Sequence, residues 1–157
     1  MGMYTELIFG AALQKDLPDE ILGMLEWLMD PQEGKLTRLL PHPLFSTERY
    51  SMVIRGAGGS FPAWSRPILE YDNAWRRWKF SFRSHFKNYD GEAQAFIDWI
   101  YPYVVDGGGP YNLFATTQYE ADAVPTLYFM SDEECGPKLD KPFVVAPTEP
   151  TPPGAKG

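Results

Sequence analysis

Large apolar side chains alternate with cationic ones along residues 75–84, and this alternation constrains the fold more than any other feature of the sequence. Successive side chains of a β-strand point to opposite faces of the sheet. The pattern therefore predicts a strand with one face in a core and one cationic face, as in an antiparallel sheet covered on one side only. The predicted core face consists of Trp78, Phe80 and Phe82, and the other face of Arg77, Lys79, Ser81 and Arg83.

Two further segments have apolar residues spaced three and four apart, which predicts helices. The first covers residues 18–29, and we expect Asp16 to cap its N-terminus. The second follows Asp90, a predicted N-cap, with Glu92 in its first turn, where an acid complements the helix dipole. We expect the apolar face of this helix to extend as far as Val104.

Strand composition recurs at residues 4–13, 50–55, 67–71, 113–120 and 126–130, and residues 32–50 read as a packed, irregular loop. Glycines at residues 56–60 favour a bulge or a sharp bend, because the segment lacks the lysine and hydroxyl residue of a phosphate-binding loop. The order of the segments predicts one α+β domain over residues 1–130. It has an antiparallel sheet of about five to six strands with two helices packed on one face.

Residues 131–157 differ in composition from the preceding chain. They begin with acidic residues, and residues 142–157 contain five prolines. Such a segment buries too little apolar area to offset the entropy lost on ordering. We therefore expect a flexible, Pro-rich acidic tail that is largely disordered, with residues 143–145 as its one anchor.

Charge and cysteine content exclude several classes of protein. The 157 residues carry 14 Lys and Arg against 21 Asp and Glu, a net charge of −7, which makes a nucleic-acid partner unlikely by composition. The single cysteine, Cys135, rules out an intramolecular disulfide or a multi-cysteine zinc site. No spacing of ligands suggests a metal, and no motif suggests a cofactor. Apolar runs are far too short for a membrane-spanning helix and the N-terminus lacks a secretory signal, so we expect a cytoplasmic protein without membrane partners.

Residues 75–87 hold five of the 14 basic residues and no acid, which leaves the rest of the chain at 9 minus 21, or −12. This concentration predicts a surface for a phosphate, a nucleotide or an acidic partner. The alternative is a strand face whose cations pair with acids on neighbouring strands, such as Glu70 or Glu120. The candidate ligand-binding residues are Arg77, Lys79, Arg83, His85 and Lys87.

Aromatic residues on the predicted helices exceed what one buried face needs. Trp27, Trp99 and Tyr103 could form an exposed patch for a partner. The alternative is that the proline-rich loop or the tail covers them. His42, between two prolines, is interpreted as a packing or capping residue.

Several short motifs occur in order along the chain: MYTE at residues 3–6, HPLF at 42–45, KNYDGE at 87–92, FIDWI at 96–100 and PTLY at 125–128. In these motifs the chain resembles a family of small uncharacterised bacterial and phage proteins. The resemblance implies a domain of this length and carries over no catalytic residue. If the motif positions serve a function, the matching candidates are His42, Lys87, Asn88, Tyr89 and Asp90.

We expect a non-catalytic binding module, a phage-encoded accessory protein that binds a host protein or a small anionic ligand in the host cytoplasm. One alternative is an enzyme acting on a phosphorylated small molecule, with Arg77, Lys79 and Arg83 as anion clamps and His85 as acid or base. Another is a virion or assembly component.

Overall fold

A computed structural model describes residues 3–32, 39–58, 65–105 and 109–147 of the chain. These residues form the predicted α+β fold, with two α-helices and a sheet of seven strands whose pairs are all antiparallel. The elements are β1 (Thr5–Leu13), α1 (Asp19–Met29), β2 (Ser65–Asp72), β3 (Arg77–Phe86), α2 (Glu92–Ile100), β4 (Val104–Val105), β5 (Leu113–Tyr119), β6 (Thr126–Phe129) and β7 (Phe143–Val145), with short 3-10 helices at Pro43–Ser46, Tyr50–Met52 and Tyr101–Tyr103. The strands lie in the order β2-β3-β1-β5-β6-β7, and β4 pairs with β1.

The two-sided character of β3 is confirmed. Phe80 and Phe82 are buried, whereas Lys79, one position before Phe80, is exposed and Ser81, between the two phenylalanines, is half-buried. Strand β1 repeats the pattern, with Leu7 and Phe9 buried on either side of the exposed Ile8. Both helices pack on the buried face of the sheet, because period-two and period-3.6 patterns each gather apolar side chains on one side.

Phe9 lies at the centre of the core. Its ring centroid is 5.2 Å from that of Phe80, 5.5 Å from Phe82, 5.8 Å from Phe96 on α2 and 5.9 Å from Phe114 on β5. Each buried phenylalanine contributes roughly 1.5–3 kcal/mol through removal of apolar surface from water. The contacts of this one ring therefore hold three strands and a helix together.

Residues 50–55 do not form the predicted strand. They fold into the 3-10 helix Tyr50–Met52 and turns, although Val53 and Ile54 are fully buried. The segment docks on β3, since His85 N–H donates to Gly56 O at 2.8 Å and the Ser84 hydroxyl donates to Val53 O. The β-branched residues Val53 and Ile54 therefore reflect the burial of this segment and not a strand conformation. Of the glycine-rich segment, residues 59 and 60 lie outside the described residues.

Both predicted helix caps are wrong. Helix α1 begins after Pro18 with no side-chain cap, and α2 begins after Gly91, whose φ of 75° lies in the left-handed region. Asn88 supplies the side-chain acceptor at α2, because its Oδ1 accepts from Ala93 N–H at 2.8 Å. Asp90 instead accepts from the backbone N–H of Glu48 at 3.2 Å.

Glu92 lies in the first turn of α2, as predicted, and is fully buried. Its carboxylate accepts from the backbone N–H groups of Asp90 at 2.7 Å and Arg49 at 3.2 Å. Helix α2 ends at Ile100, earlier than expected, and Val104 belongs to β4. The connecting 3-10 turn contains Pro102, which removes a backbone donor.

Residues 131–147 contact the domain at more positions than the one expected anchor, residues 143–145, which forms strand β7. Strand β7 pairs with β6, and this pairing extends the sheet beyond the end predicted after residue 130. Lys138 Nζ donates to the carbonyls of Tyr101 at 2.8 Å and Val104 at 2.7 Å, while the Tyr101 hydroxyl donates to Leu139 O at 2.7 Å. Residues 148–157 of the predicted tail lie outside the described residues.

In the part of the chain that the structure describes, no helix has both the length and the apolar character that a membrane crossing requires.

Candidate functional site

The five candidate ligand-binding residues of β3 and its continuation do not converge on one point. Arg77 begins β3 and Lys87 directly follows its end. Because a strand advances about 3.3 Å per residue, their backbones lie roughly 30 Å apart. One small ligand therefore cannot contact all five residues.

Three of the candidates are engaged with carboxylates. Lys79 Nζ lies 3.1 Å from Asp72 Oδ2, and Glu6 Oε2 lies 2.8 Å from Arg83 Nε and 3.0 Å from His85 Nε2. The predicted alternative of paired cations thus describes these residues, with Asp72 and Glu6 as partners in place of Glu70 and Glu120. His85 is buried beside Glu6 and does not line either of the clefts described below.

The two remaining candidates lie over aromatic rings at opposite ends of the strand. Arg77 Cζ is 5.4 Å from the centroid of the Trp75 ring, and Lys87 Nζ is 5.8 Å from that of Tyr4. A cation at this distance from a ring face is attracted by the ring quadrupole. Arg77 also lines a cleft with two further cations, Lys15 and Arg76.

Trp75 lies in the hairpin turn between β2 and β3, one position before the left-handed Arg76 at φ 54°. Asp72 fixes this turn, because its Oδ1 accepts from the N–H groups of Ala74 at 2.9 Å and Trp75 at 3.2 Å. The hydrogen bond from Lys79 and those from the turn hold the pKa of Asp72 below its usual range. Lys79 therefore helps to hold the turn through Asp72, and it is outside the lining of the cleft that this turn forms.

The turn presents Trp75 at the rim of an open cleft of about 410 Å³, which we call the Trp75 cleft. The indole is 71% exposed, an unusual state for so large an apolar side chain. The hairpin turn contributes Arg76 and Arg77 to one wall of the cleft, and the chain that follows β1 contributes Lys15 and Asp16 to the other. Three cations and one acid therefore surround the indole. The lining residues are Gln14, Lys15, Asp16, Trp75, Arg76, Arg77 and Val105.

Chemically, the Trp75 cleft combines positive charge with a flat apolar surface. Arginine forms paired hydrogen bonds with carboxylates and phosphates, and an indole face stacks on planar groups. Among the described residues that line it there is no histidine, cysteine or hydroxyl side chain. The arrangement therefore suits binding of an anion.

The predicted aromatic patch is not assembled as an exposed surface. Trp99 is only 5% exposed, and its ring meets that of Phe45 edge-on at 5.4 Å. Trp27 is half-buried and stacks on Tyr50 at 6.2 Å, and Tyr103 also packs against the core. The loop that contains Phe45 covers Trp99, which was the alternative to an exposed patch.

Among the positions taken from the resemblance, His42 caps the 3-10 helix Pro43–Ser46. Its Nδ1 accepts from Leu44 N–H at 3.1 Å, and burial lowers the pKa of His42 while Asp98 opposes this shift. Asn88 and Tyr89 line a second cleft, at the opposite end of β1 from the Trp75 cleft.

Sequence reasoning missed Lys15 and placed Trp75 in a strand. The adjacent Asp72 and Asn73 already signalled a turn, so the exposed position of Trp75 could have been found. Nothing in the local sequence indicates that Lys15 lies beside this turn, because the contact joins segments about 60 residues apart.

Comparison of the chain with protein-family models, with curated proteins and with solved structures finds no match. Within residues 3–32, 39–58, 65–105 and 109–147, no group of three or more histidine, cysteine, aspartate or glutamate side chains is placed to hold a metal ion.

Proposed function

We propose that this chain is a non-catalytic binding module that captures a small anionic ligand in the Trp75 cleft. In this proposal it is a phage-encoded accessory protein that acts in the host cytoplasm. The single observation that carries the binding role is the exposed Trp75 indole, held at a fixed turn with Arg77 over its ring and two further cations beside it.

Electrostatics favour an anion at this position. The chain as a whole carries −7, whereas the described residues that line the cleft include three cations, Lys15, Arg76 and Arg77, and one acid, Asp16. Repulsion from the acidic remainder would weaken binding of any anion that contacts the protein elsewhere. Because the protein as a whole repels anions, the positive charge at the Trp75 cleft supports anion binding at this site and not anywhere else on the surface.

The enzyme alternative receives less support from the geometry. It requires His85 as acid or base next to the anion clamps, but His85 is buried against Glu6 and does not line the Trp75 cleft. Arg83 and Lys79 are engaged by carboxylates and are also outside the cleft.

The test is an NMR titration with inorganic phosphate, citrate and adenosine monophosphate as probes. The indole N–H signal of Trp75, identified by its loss in the Trp75→Ala variant, reports on the cleft directly. We expect at least one probe to shift this signal. Arg76→Asn should weaken binding about tenfold, equivalent to 1.4 kcal/mol, while asparagine tolerates the left-handed backbone.

Arg66→Asn is the matched control, because it removes the same charge from an exposed position on β2 outside the cleft. Equal weakening by Arg66→Asn would mean that only the total charge matters. That result, or an indole signal that no probe moves, would refute the binding role of the cleft.

A further inference from the structure

A second cleft, of about 260 Å³, lies between the start of α2 and the β5–β6 hairpin. We call it the polar cleft. Asn88, Tyr89 and Gln94 line one side, and Thr117, Tyr119 and Asp122 line the other. Thr5, at the first position of β1, also lines it, whereas the Trp75 cleft begins just past the last residue of β1. The two clefts are therefore at opposite ends of the sheet and can be tested independently.

The core face of the sheet changes its chemistry at this cleft. Along β1 that face carries Phe9 and Leu7 and then Thr5, and on β5 it carries Ala115 and then Thr117. Both threonines are nearly buried, at 5% exposure, and both line the cleft. Two buried hydroxyl side chains in place of apolar ones indicate a surface suited to a polar ligand, because polar groups out of water need hydrogen-bond partners.

Hydrogen bonds within the protein already hold several of the lining side chains in position. Asn88 donates from Nδ2 to Gln94 Oε1 at 3.0 Å while its Oδ1 accepts from the backbone of α2, and Thr117 Oγ1 lies 3.2 Å from the Tyr128 hydroxyl. Within the described residues, no hydrogen bond engages the Thr126 hydroxyl or the Asp122 carboxylate. The cleft thus offers amide donors, hydroxyl groups and a carboxylate acceptor on a positioned frame.

The charge of the polar cleft differs from that of the Trp75 cleft. Among the described residues that line it there is no lysine, arginine or histidine, and Asp122 is the one acidic residue. This composition disfavours phosphates and carboxylates. Tyr89 and Tyr119, which are 54% and 39% exposed, add flat apolar ring surfaces that end in hydroxyl groups. One face of the Tyr89 ring is covered by the Arg49 guanidinium, whose Cζ lies 4.9 Å from the ring centroid, so the other face is the one that a ligand can contact.

We propose that the polar cleft binds a neutral saccharide. A sugar ring presents hydroxyl groups around its edge and C–H groups on its faces, which match the donors and acceptors of the lining and the tyrosine rings. The volume lies just below the range of about 300–1,000 Å³ that is typical for drug-sized ligands, and so suits one sugar unit. This proposal does not depend on the function of the Trp75 cleft.

The test uses amide NMR spectra of the full chain with methyl α-glucoside, methyl β-galactoside and N-acetylglucosamine at millimolar concentrations. We expect at least one sugar to shift the amide signals of Thr5, Asn88 and Thr117 while the Trp75 indole signal stays in place. Asp122→Asn should weaken this binding about tenfold, since a hydrogen bond to a charged group is stronger than one to an amide. Tyr89→Ala should abolish it.

Two matched variants serve as controls. Asp132→Asn removes an exposed carboxylate and Tyr71→Ala removes an exposed tyrosine ring, both outside the polar cleft, and neither should change sugar binding. Choline and inorganic phosphate are the comparison probes. The proposal is wrong if none of the three sugars shifts the cleft signals, if choline or phosphate shifts them more than the sugars do, or if a control variant weakens binding as much as Asp122→Asn.

Discussion

Replacement of Lys138 by methionine should destabilise the whole domain, although Lys138 lies in a segment with the composition of a disordered tail. Its ammonium group donates to the carbonyls of Tyr101 and Val104 and lies 4.4 Å from the centroid of the Tyr101 ring. These carbonyls follow α2, where no basic side chain occurs in the last turn. The change removes both hydrogen bonds and retains most of the apolar stem.

The magnitude follows from opposing contributions. A hydrogen bond from a charged group contributes about 1.5–3 kcal/mol, and the ring contact adds roughly 0.5–1 kcal/mol. Partial dehydration, which also lowers the pKa of Lys138, and the loss of up to about 2 kcal/mol of side-chain entropy oppose these gains. We expect a net loss of about 2 kcal/mol in the free energy of unfolding, or a decrease of about 4–8 °C in Tm for a chain of this size.

Urea unfolding of Lys138→Met measures this loss, with Lys141→Met as the matched control at an exposed position three residues further on. The control should stay within about 0.5 kcal/mol of the parent protein. Hydrogen exchange adds a local measurement, because Leu139 N–H donates to Met130 O at 2.8 Å and should lose protection in Lys138→Met. Equal stability of the two variants, with Leu139 still protected, would refute the anchoring role of Lys138.

Two further predictions concern alanine substitutions at two glycines and the titration of His42. Gly56→Ala should destabilise the protein by roughly 1–3 kcal/mol, because an added Cβ would collide with the backbone oxygen of His85. Gly23→Ala should stabilise it by about 0.8–1 kcal/mol, because this position on α1 faces open space and alanine favours a helix more than glycine does. Thermal unfolding of the pair decides this, and a stable Gly56→Ala variant would contradict the close approach. For His42, burial lowers the folded-state pKa below its ordinary value of 6.5, so the unfolded chain binds the proton more readily and stability falls as pH decreases from 6.5 towards the folded-state pKa. The variant His42→Asn, which can still cap, should show a smaller loss of stability between neutral and mildly acidic pH, and an unchanged pH dependence would exclude His42 as its source.

The sequence predicted the sheet and helices well where the pattern is strong and regular. The alternation at β3 and the spacing in α1 each identify a buried face without knowledge of the partner, because both follow from local backbone geometry. The prediction failed at residues 50–55, where Val53 and Ile54 are buried together in a non-regular segment. Apolar runs of this length do not distinguish a strand from another buried segment.

The candidate site was less predictable than the fold. Arg77 was identified from the cluster of cations, but Lys79 and Arg83 belong to ion pairs that the local sequence does not specify. The Arg83–Glu6 pair joins residues 77 positions apart, and it forms because β1 and β3 are neighbours in a particular register. Sequence patterns indicate that a strand has a polar face but do not indicate which strand lies next to it.

By itself, the sequence determined that this chain has one core, an antiparallel sheet with one covered face, and a basic segment on an otherwise acidic protein. These properties depend on side-chain period and composition, which act over a few residues. Only the tertiary structure decided that Lys15 joins Trp75 in a cleft, that hydroxyl groups replace the core at the start of β1, and that residues 131–147 pack on the domain. Each of these depends on contacts between segments far apart in the chain, and such contacts exist only once strand order and register are fixed.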